Sequence, residues 1–251
     1  MILPRTKKTR TISFLTILLF ALTILSFYLI YAKQTNAVLV TYSNMKQIAH
    51  HVYVEPDMNE NEKTELINIV QTAAKKVEAL FGQRESTPIT IYAKSKKALK
   101  KYANTNIGQT YYFPWNNYIV IGTNGFNEHV IAHEFTHAEL RKRLKNSSKV
   151  PVWFDEGLAA MIDGRYSDNE TVWNNQTNNG KNPINFNLLD THSAFLPNAQ
   201  SHINYELACY EVSRWYGVVG TSGLIKLIDD LNEGGHFDDH YKAIEKNGSG
   251  K

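Results

Sequence analysis

The sequence predicts an α+β fold, with a small N-terminal sheet and packed helices, then a mainly helical C-terminal part, all preceded by one transmembrane helix. As far as Gly122, short runs of β-branched and aromatic residues, typical of strands, alternate with segments that have the apolar periodicity of helices. Beyond Gly122 the segments between the polar connections have helical periodicity. An uncharged, mostly apolar run near the N-terminus has the length of a membrane-spanning helix, about 20 residues.

The apolar run extends from Ile12 to Ala32 and contains no charged residue. Basic residues precede it at positions 5, 7, 8 and 10, whereas only Lys33 follows closely. This asymmetry places the N-terminus in the cytoplasm and the rest of the chain outside. We therefore predict four regions: a cytoplasmic basic tail over 1–11, a transmembrane signal anchor over 12–32, a linker over 33–46 and an extracytoplasmic domain over 47–251.

A cleaved signal peptide is the alternative for this segment, and cleavage would give a secreted form. Signal peptides usually have a shorter apolar region, about 7 to 15 residues, followed by a site of small residues. Thr35-Asn36-Ala37 is a weak match to such a site. The length of the run and the aromatic residues near its end favour a retained anchor.

The positive net charge of the chain belongs to its membrane flank. Five of the 27 lysine and arginine residues lie at or before Lys33, whereas all 24 acidic residues follow it. The rest of the chain is slightly acidic, and nothing in it indicates the clustered basic face that nucleic-acid binding requires, so we expect no nucleic-acid partner. Cys209 is the only cysteine, which excludes an intrachain disulfide, and its apolar neighbours indicate a buried structural thiol.

The first half of the predicted domain alternates strands and helices. Asn59 to Phe81 is predicted as a helix because capping residues open it and Gly82 follows its end. The other elements of this half are a strand over Gln47–Val54, a strand over Pro88–Ala93, a helix around Lys96–Tyr102 and a strand over Tyr118–Gly122.

The second half is predicted to be helical. An apolar stripe runs through Asn127–Leu144, and Pro151 opens another apolar helix that ends near Ile162. The asparagine-rich stretch Ser167–Asn187 is predicted to be a long surface loop or a mobile flap. Two further helices are predicted, over Tyr205–Tyr216 and Leu224–Leu231.

The stretch His133-Glu134-Phe135-Thr136-His137 indicates the centre of a metal-dependent hydrolase. On a helix His133 and His137 lie one turn apart on the same face, so both imidazoles can bind one metal ion. Glu134 is rotated by about 100° from His133 and can take a proton from a metal-bound water, which is the role of a general base. Three ligands at His129, His133 and His137 would span two helical turns, about 12 Å, which is too far for one ion. His129 is therefore predicted to face the surface or a loop.

A third protein ligand is expected because catalytic zinc commonly keeps three, with an open position for water. No histidine lies between Ala138 and Pro151, so a carboxylate of the next helix is the better candidate. That helix contains the run from Trp153 to Ala159, WFDEGLA. The two motifs resemble the gluzincin metallopeptidases, in which an HExxH helix is followed by a WxxEGLA helix. The resemblance covers roughly residues 118 to 231.

This resemblance implies a thermolysin-like core around one Zn²⁺ ion held by His133, His137 and Glu156. Glu134 is then the general base. Glu156 follows His137 by 19 residues, a separation similar to that in the family. The neighbouring Asp155 is predicted to be an N-terminal helix cap rather than a ligand.

The resemblance implies further features. An edge strand near the active helix pairs with extended substrates, and Tyr118–Gly122 occupies that place, with an ordinary core strand as the alternative. A Tyr or His of a later helix stabilises the transition state, which makes Tyr205 the candidate; His202 competes for this role, and a packing role for Tyr205 is the other alternative. Relatives often carry a carboxylate four residues after the ligand Glu, where this chain has Ala160, and Asp163 could substitute.

The sequence therefore predicts a membrane-anchored, extracytoplasmic zinc metallopeptidase that hydrolyses peptide bonds in a peptide or protein substrate. The alternative is a membrane-anchored binding or structural domain that keeps the zinc site without catalysis. Ala160 favours this alternative, whereas an intact Glu134 argues against it because a structural site needs no base.

Overall fold

The computed structural model describes residues 7–196 and 200–250, with side chains from Phe14 onward except at position 24. The strands are β1 (Lys46–Ala49), β2 (Val52–Val54), β3 (Ile89–Tyr92), β4 (Gly108–Tyr112) and β5 (Asn117–Ile121). The α-helices in chain order are α1 (Lys7–Ile30), α2 (Ala32–Val38), α3 (Glu60–Phe81), α4 (Lys96–Tyr102), α5 (Glu128–Arg143), α6 (Val152–Asp163), α7 (Asn169–Thr177), α8 (His192–Phe195), α9 (Ser201–Asn232) and α10 (Phe237–Gly248). The predicted α+β class is confirmed.

The five strands form one mixed sheet in the order β1-β2-β3-β5-β4. The strands β2, β3 and β5 are parallel, β1 forms an antiparallel hairpin with β2, and β4 is antiparallel to β5. The single strand predicted over Gln47–Val54 is therefore two strands. They are separate because His51 adopts a left-handed φ of 59° in the turn between them.

The edge strand next to α5 is β4. Of the two alternatives for Tyr118–Gly122, the core strand is correct, because β5 pairs with β3 on one side and with β4 on the other. All residues of β5 are buried, as expected for a strand covered on both faces. The sequence does not predict β4, since Gly-Gln-Thr-Tyr-Tyr contains no run of β-branched residues.

The two faces of the sheet carry different helices. Ile119 of β5 belongs to the larger core, which α3 and α5 cover, whereas Val120 belongs to a smaller core with α2 and α4. The segment 33–46, predicted to be a linker, contains most of α2 and is not a free connection. Ala37 and Val40 in this segment are fully buried in the smaller core.

Capping residues set the boundaries of the predicted helices. Asn59 caps the N-terminus of α3 and Asn127 caps that of α5, each by accepting a hydrogen bond from a backbone N–H of the first turn. α3 ends at Gly82, whose φ of 78° lies in the left-handed region that favours glycine. α6 ends in the same way at Gly164, with a φ of 69°. These three predicted helices are confirmed.

The C-terminal part agrees with the prediction in one place and differs from it in another. α9 is broken by a kink at Gly220, whose φ of 62° is non-helical, so a helical segment lies on each side of the gap predicted between Tyr216 and Leu224. The asparagine-rich stretch 167–187 contains α7, and Trp173 of α7 stacks on Tyr210 of α9 with ring centroids 4.6 Å apart. The sequence does not predict this helix, because asparagine favours turns and caps over helix interiors.

The N-terminal helices α1 and α2 meet at a sharp bend. Among the described residues no single helix combines the length and composition of a membrane span. Residues Phe14–Ile30 of α1 and the whole of α2 meet these criteria by length and composition as a pair bent by 87°. The anchor over 12–32 stays a prediction, and residues 1–6 of the predicted basic tail lie outside the described residues.

Candidate metal centre

Two helices carry the motif residues. α5 packs against β4, β5 and α6, and its residues from Val130 to Leu140 are buried except for Glu134, which is half-buried. Gly157 of α6 allows close packing on α9, since a Cβ there would lie 2.6 Å from the carbonyl oxygen of Ala208. This close contact holds the part of α6 that carries Glu156.

His133, His137 and Glu156 point their donor atoms at one another. The two Nε2 atoms are 3.1 Å apart, and Oε2 of Glu156 lies 3.4 Å from Nε2 of His133 and 3.6 Å from Nε2 of His137. All three residues are buried, each with 7% of its surface exposed. The three side chains, called the triad below, form a buried group that could hold a metal ion.

The triad has the size that a small tetrahedral cation requires. Zinc lies about 2.0–2.2 Å from nitrogen and oxygen ligands, so two ligands at a tetrahedral angle are about 3.3–3.6 Å apart. The three distances between the donor atoms, 3.1, 3.4 and 3.6 Å, are close to this range. The residues therefore fit a bound metal.

Carboxylates hold the outer nitrogen of each imidazole. Oδ2 of Asp163 lies 2.9 Å from Nδ1 of His133, and Oδ1 of Asp155 lies 2.7 Å from Nδ1 of His137. Each bond orients its ring and directs Nε2 to the centre, as is common for metal-binding histidines. Asp163 therefore supplies the carboxylate that is missing at Ala160.

Asp155 does not cap α6, so this prediction is wrong. The helix begins after Pro151, and the carboxylate of Asp155 points across to α5 instead of to its own backbone. Nη2 of Arg141 lies 2.8 Å from Oδ2 of Asp155, and Nη2 of Arg165 lies 2.7 Å from Oδ2 of Asp163. Each imidazole of the triad is thus backed by an aspartate and an arginine.

Two other histidines considered from the sequence lie outside the triad. His129 is half-buried, and its Nδ1 contacts the backbone carbonyl of Asp163, so of the two predicted environments, the surface or a loop, it faces the turn that ends α6. The side chain of His202 is 74% exposed and its Nε2 lies 3.5 Å from Oε1 of Glu206. Neither histidine contributes a donor atom to the triad.

Opposite charges dominate the electrostatics of the triad. Burial acts to lower the pKa of His137, but Asp155 and Glu156 raise it well above its usual range. Burial likewise acts to lower the pKa of His133, which Asp163 and Glu156 raise. Burial acts to raise the pKa of Glu156, yet His137 and His133 hold it well below its usual range. The cluster therefore favours positive charge at its centre, and a bound cation would displace protons there.

Tyr205 contacts the triad through Glu156. Its hydroxyl donates a hydrogen bond of 2.9 Å to Oε2 of Glu156, the oxygen that faces both histidines. Tyr166 stacks on its ring with centroids 4.9 Å apart, and Phe195 packs edge-on. Burial and the charge of Glu156 raise the pKa of Tyr205, which keeps the hydroxyl protonated and able to donate. The role of Tyr205 in the transition state stays a prediction.

Glu134 faces the edge strand β4. Oγ1 of Thr110 donates a hydrogen bond to Oε2 of Glu134, and a Cβ at Gly108 would lie 2.6 Å from Oε1 of Glu134. Neither Gly108 nor Thr110 is predicted from the sequence to be a functional residue. A signal for this hairpin is present in the sequence, because the turn-forming residues Pro114 and Asn116 lie between the aromatic run 111–113 and the largely β-branched run 118–121.

Asp163→Asn is expected to weaken metal binding by about 10- to 100-fold, because the negative charge behind His133 is lost while the shape is kept. Titration of the purified chain against a competing metal indicator measures the affinity. Asp168→Asn is the matched control, since Asp168 is exposed and its side chain makes no capping hydrogen bond. Equal affinities in the two variants would contradict the role given to Asp163.

Comparisons of the chain with protein-family models, with curated proteins and with solved structures find no match. The resemblance to the gluzincins therefore rests on the residues of α5 and α6 alone.

Proposed function

We propose that the chain is a membrane-anchored, zinc-dependent metallopeptidase. The observation that carries the proposal is the triad, which places three donor atoms 3.1 to 3.6 Å apart in a buried site. Glu134 stands beside the triad on α5, one residue after His133. A metal site and a base are the two groups that hydrolysis by an activated water needs.

Zinc is the metal that this donor set favours. Two imidazole nitrogens and one carboxylate oxygen are typical of catalytic zinc sites, which keep an open position for water or substrate. A structural zinc site would be closed by a fourth protein ligand. Among the described residues, His133, His137 and Glu156 are the three that offer donor atoms within 4.8 Å of one another at this place.

Glu134 carries out the proton transfers. When bound, zinc lowers the pKa of a water molecule toward about 7 and polarises a substrate carbonyl. Glu134 accepts a proton from the attacking water and passes it to the nitrogen of the leaving amine. The hydrogen bond from Thr110 orients the Glu134 carboxylate, and Asp155 and Asp163 orient the two imidazoles.

Tyr205 is the candidate for stabilising the transition state. Its raised pKa keeps the proton on the hydroxyl, and its ring centroid lies 6.2 Å from that of His133. To reach an oxyanion at the triad, the hydroxyl would exchange its hydrogen bond to Glu156 for one to the substrate.

The proposed location rests on the sequence of the N-terminal segment. The apolar run 12–32, with basic residues before it, favours an anchored protein whose catalytic domain lies outside the cytoplasm. Cleavage after the run would instead release a secreted form. In both cases the substrate would be an extracytoplasmic peptide or protein.

A catalytically inactive zinc domain is the second candidate, and Ala160 is the feature in its favour. Asp163 and Asp155 supply the carboxylates that the two imidazoles need, so the absence of a carboxylate at Ala160 leaves neither ring without one. Glu134 next to an open zinc position has no role in a structural site. The peptidase is therefore the better supported of the two candidates.

Digestion of an unbiased peptide library by the purified full chain tests the proposal. We expect release of fragments, loss of release after treatment with a chelator, and recovery after addition of Zn²⁺. Metal analysis of the same sample separates the candidates, because an inactive domain would contain zinc without releasing fragments. A chain that binds no metal would contradict both.

Gly108→Ala is expected to lower kcat about tenfold or more while zinc content stays unchanged. A Cβ at Gly108 would lie 2.9 Å from Cγ of Glu134, so the base would have to leave its position beside Thr110. Gly217→Ala is the matched control, because a Cβ there would meet no atom within 4 Å apart from its two chain neighbours and the backbone of its own helix. Steady-state kinetics and metal analysis of both variants measure the effect. An unchanged kcat in Gly108→Ala would show that the base acts from a different position.

A further inference from the structure

An apolar groove lies between α1, α2 and the β4–β5 hairpin. It has a volume of about 620 Å³, and none of its lining residues is charged. The large apolar side chains of the groove are Phe27, Tyr31, Val38, Leu39, Phe113 and Trp115. Leu39 is 47% exposed and Trp115 is 64% exposed, although burial of such side chains is favourable. A continuous exposed apolar surface of this kind indicates contact with a partner or a membrane.

The groove begins at the end of the predicted membrane anchor. Phe27 belongs to the anchor, and its ring centroid lies 4.6 Å from that of Tyr31. Both residues line the groove together with Trp115, which lies in the turn of the β4–β5 hairpin. A bilayer that surrounds α1 up to Phe27 would therefore meet Trp115 at its surface. Tyrosine and tryptophan are enriched at the boundary between membrane and water.

A basic cavity borders α2 from the side of α4. It has a volume of about 640 Å³ and is lined by Lys33, Lys96 and Lys100, with no acidic residue in its lining. Among the residues that the structure describes, none of these three lysines forms an ion pair. Nζ of Lys33 contacts the amide oxygen of Asn104, which is neutral. The positive charge of this cavity is therefore available to an anionic partner.

The other two lysines of α4 have acidic neighbours instead. Lys97 and Lys101 line a different cavity, to which Glu55 and Asp57 also contribute. Lys96 and Lys100 are four residues apart, so they lie on one face of α4, the face that meets Lys33 of α2. The uncompensated charge of α4 is thus directed to the side of the N-terminal helices.

The bend between α1 and α2 gives both surfaces a common orientation. Phe14–Ile30 and α2 meet at 87°, so α2 lies along the surface of a bilayer that α1 crosses upright. The side chain of Asn36 in α2 donates a hydrogen bond of 3.1 Å to the backbone carbonyl of Lys101 in α4. This bond and the packing of α2 on α4 hold the basic cavity beside the same helix that borders the groove.

We propose that the groove and the basic cavity, together called the docking face, bind the surface of a bilayer that contains anionic phospholipids. The aromatic side chains of the groove enter the headgroup region, and Lys33, Lys96 and Lys100 bind the phosphate groups. A bilayer is the occupant because the groove continues the predicted anchor and the lysines complement the charge of the headgroups. The contact rests on the anchor of the proposed function and does not require the peptidase activity.

Docking would hold the metal centre close to the bilayer. Thr110, which donates to Glu134, precedes Trp115 by five residues. Five residues span at most about 18 Å even when fully extended. The docking face therefore adds a fixed, short height above the membrane to a domain that the anchor alone would leave free to tilt.

Quenching of tryptophan fluorescence by lipids tests the apolar part of the docking face. The full chain is reconstituted in vesicles of phosphatidylcholine and phosphatidylglycerol that contain a lipid with a nitroxide near the headgroup. α1 and α2 contain no tryptophan, and Trp153 and Trp215 are buried. Trp115→Phe removes the proposed contact. Trp173→Phe is the matched control, because Trp173 is half-buried on α7 and does not line the groove.

We expect the lipid to quench the wild type and the Trp173→Phe variant. Trp115→Phe should lose most of this quenching, because Trp115 is the tryptophan that reaches the headgroups. Equal quenching in the two variants, or no quenching in the wild type, would overturn the inference.

Lysine variants test the basic part of the docking face. Lys96→Gln and Lys100→Gln are each expected to lower the ratio of docked to undocked chain about fivefold in vesicles with phosphatidylglycerol, as obtained from the quenching of Trp115. Lys75→Gln is the matched control, since Lys75 is exposed on α3, which covers the opposite face of the sheet. A ratio that is the same in all three variants would overturn the assignment of anionic lipid as the partner.

Extraction with alkaline carbonate separates the docking face from the proposed anchor. A chain with a membrane-spanning anchor stays in the vesicles, whereas a chain held by the docking face alone is released. Retention without quenching of Trp115 would overturn the docking face and leave the anchor. Release of a chain whose Trp115 was quenched would overturn the anchor and leave the docking face.

Two further variants separate the docking face from the peptidase and from self-association. Glu134→Gln should be quenched like the wild type, because docking does not depend on hydrolysis. A failure of the peptidase proposal would therefore leave this result unchanged. Disulfide-linked dimers of Leu39→Cys after mild oxidation, with Trp115 unquenched, would assign the face to a second copy of the chain and overturn the inference.

Discussion

Glu134→Gln is expected to reduce peptide hydrolysis by about 10²- to 10⁴-fold while the chain retains its zinc. Gln keeps the shape of the side chain and can still accept the hydrogen bond from Thr110, but an amide cannot take a proton from water. Zinc should stay because Glu134 is not one of the three residues of the triad. Steady-state kinetics together with metal analysis measure both quantities on the same preparation.

Glu128→Gln is the matched control for this variant. Glu128 lies in the first turn of the same helix and pairs with Lys76 at 2.8 Å near the surface, away from the triad. Its activity and zinc content should equal those of the wild type. Full activity in Glu134→Gln would end its assignment as the base, and joint loss of zinc and activity would place Glu134 among the ligands.

Glu156→Gln is expected to weaken zinc binding by more than about 100-fold, because a ligand is altered rather than its hydrogen-bonding partner. The pKa of Glu156 lies well below its usual range, so the site depends on the charged carboxylate, which the amide does not supply. Activity should fall with zinc content. The stabilisation that added zinc gives to thermal unfolding should also largely disappear, because it depends on the affinity for the folded chain.

Asp155→Asn separates the two neighbouring carboxylates. Asp155 binds the outer nitrogen of His137, so its loss is expected to weaken zinc binding by the smaller factor of about 10 to 100. Glu170→Gln, at an exposed position of α7, is the control that should leave affinity unchanged. Retention of zinc in Glu156→Gln with complete loss in Asp155→Asn would reverse the assignment of the ligand.

The helices that carry the triad are predictable from the sequence because their local signals agree. Asn127 caps α5, Gly164 ends α6, and the spacing of His133 and His137 by one turn determines that they share a face. Glu156 enters through the resemblance of its motif to a known family, and the structure places it against the two histidines. Local sequence patterns are therefore enough to predict a contact when both residues lie on neighbouring turns of one helix, as His133 and His137 do.

The partners of Glu134 and the orientation of Asp155 are not predictable in this way. Gly108 and Thr110 reach Glu134 only because the β4–β5 hairpin packs against α5, and Glu134 lies 24 residues further along the chain than Thr110. An aspartate near the start of a helix commonly caps it, and only the packing of α6 on α5 directs Asp155 to His137. Tertiary contacts decide both cases.

The residues of the triad and both orienting aspartates lie between His133 and Asp163, on two helices joined by the short connection 144–151. Closing so short a segment costs less chain entropy than bringing α9 to the same place. We therefore expect the α5–α6 hairpin to gather the donor atoms early in folding, when Tyr205 has yet to arrive. Zinc present at that stage would favour the hairpin, so the metal would guide folding before any substrate could bind.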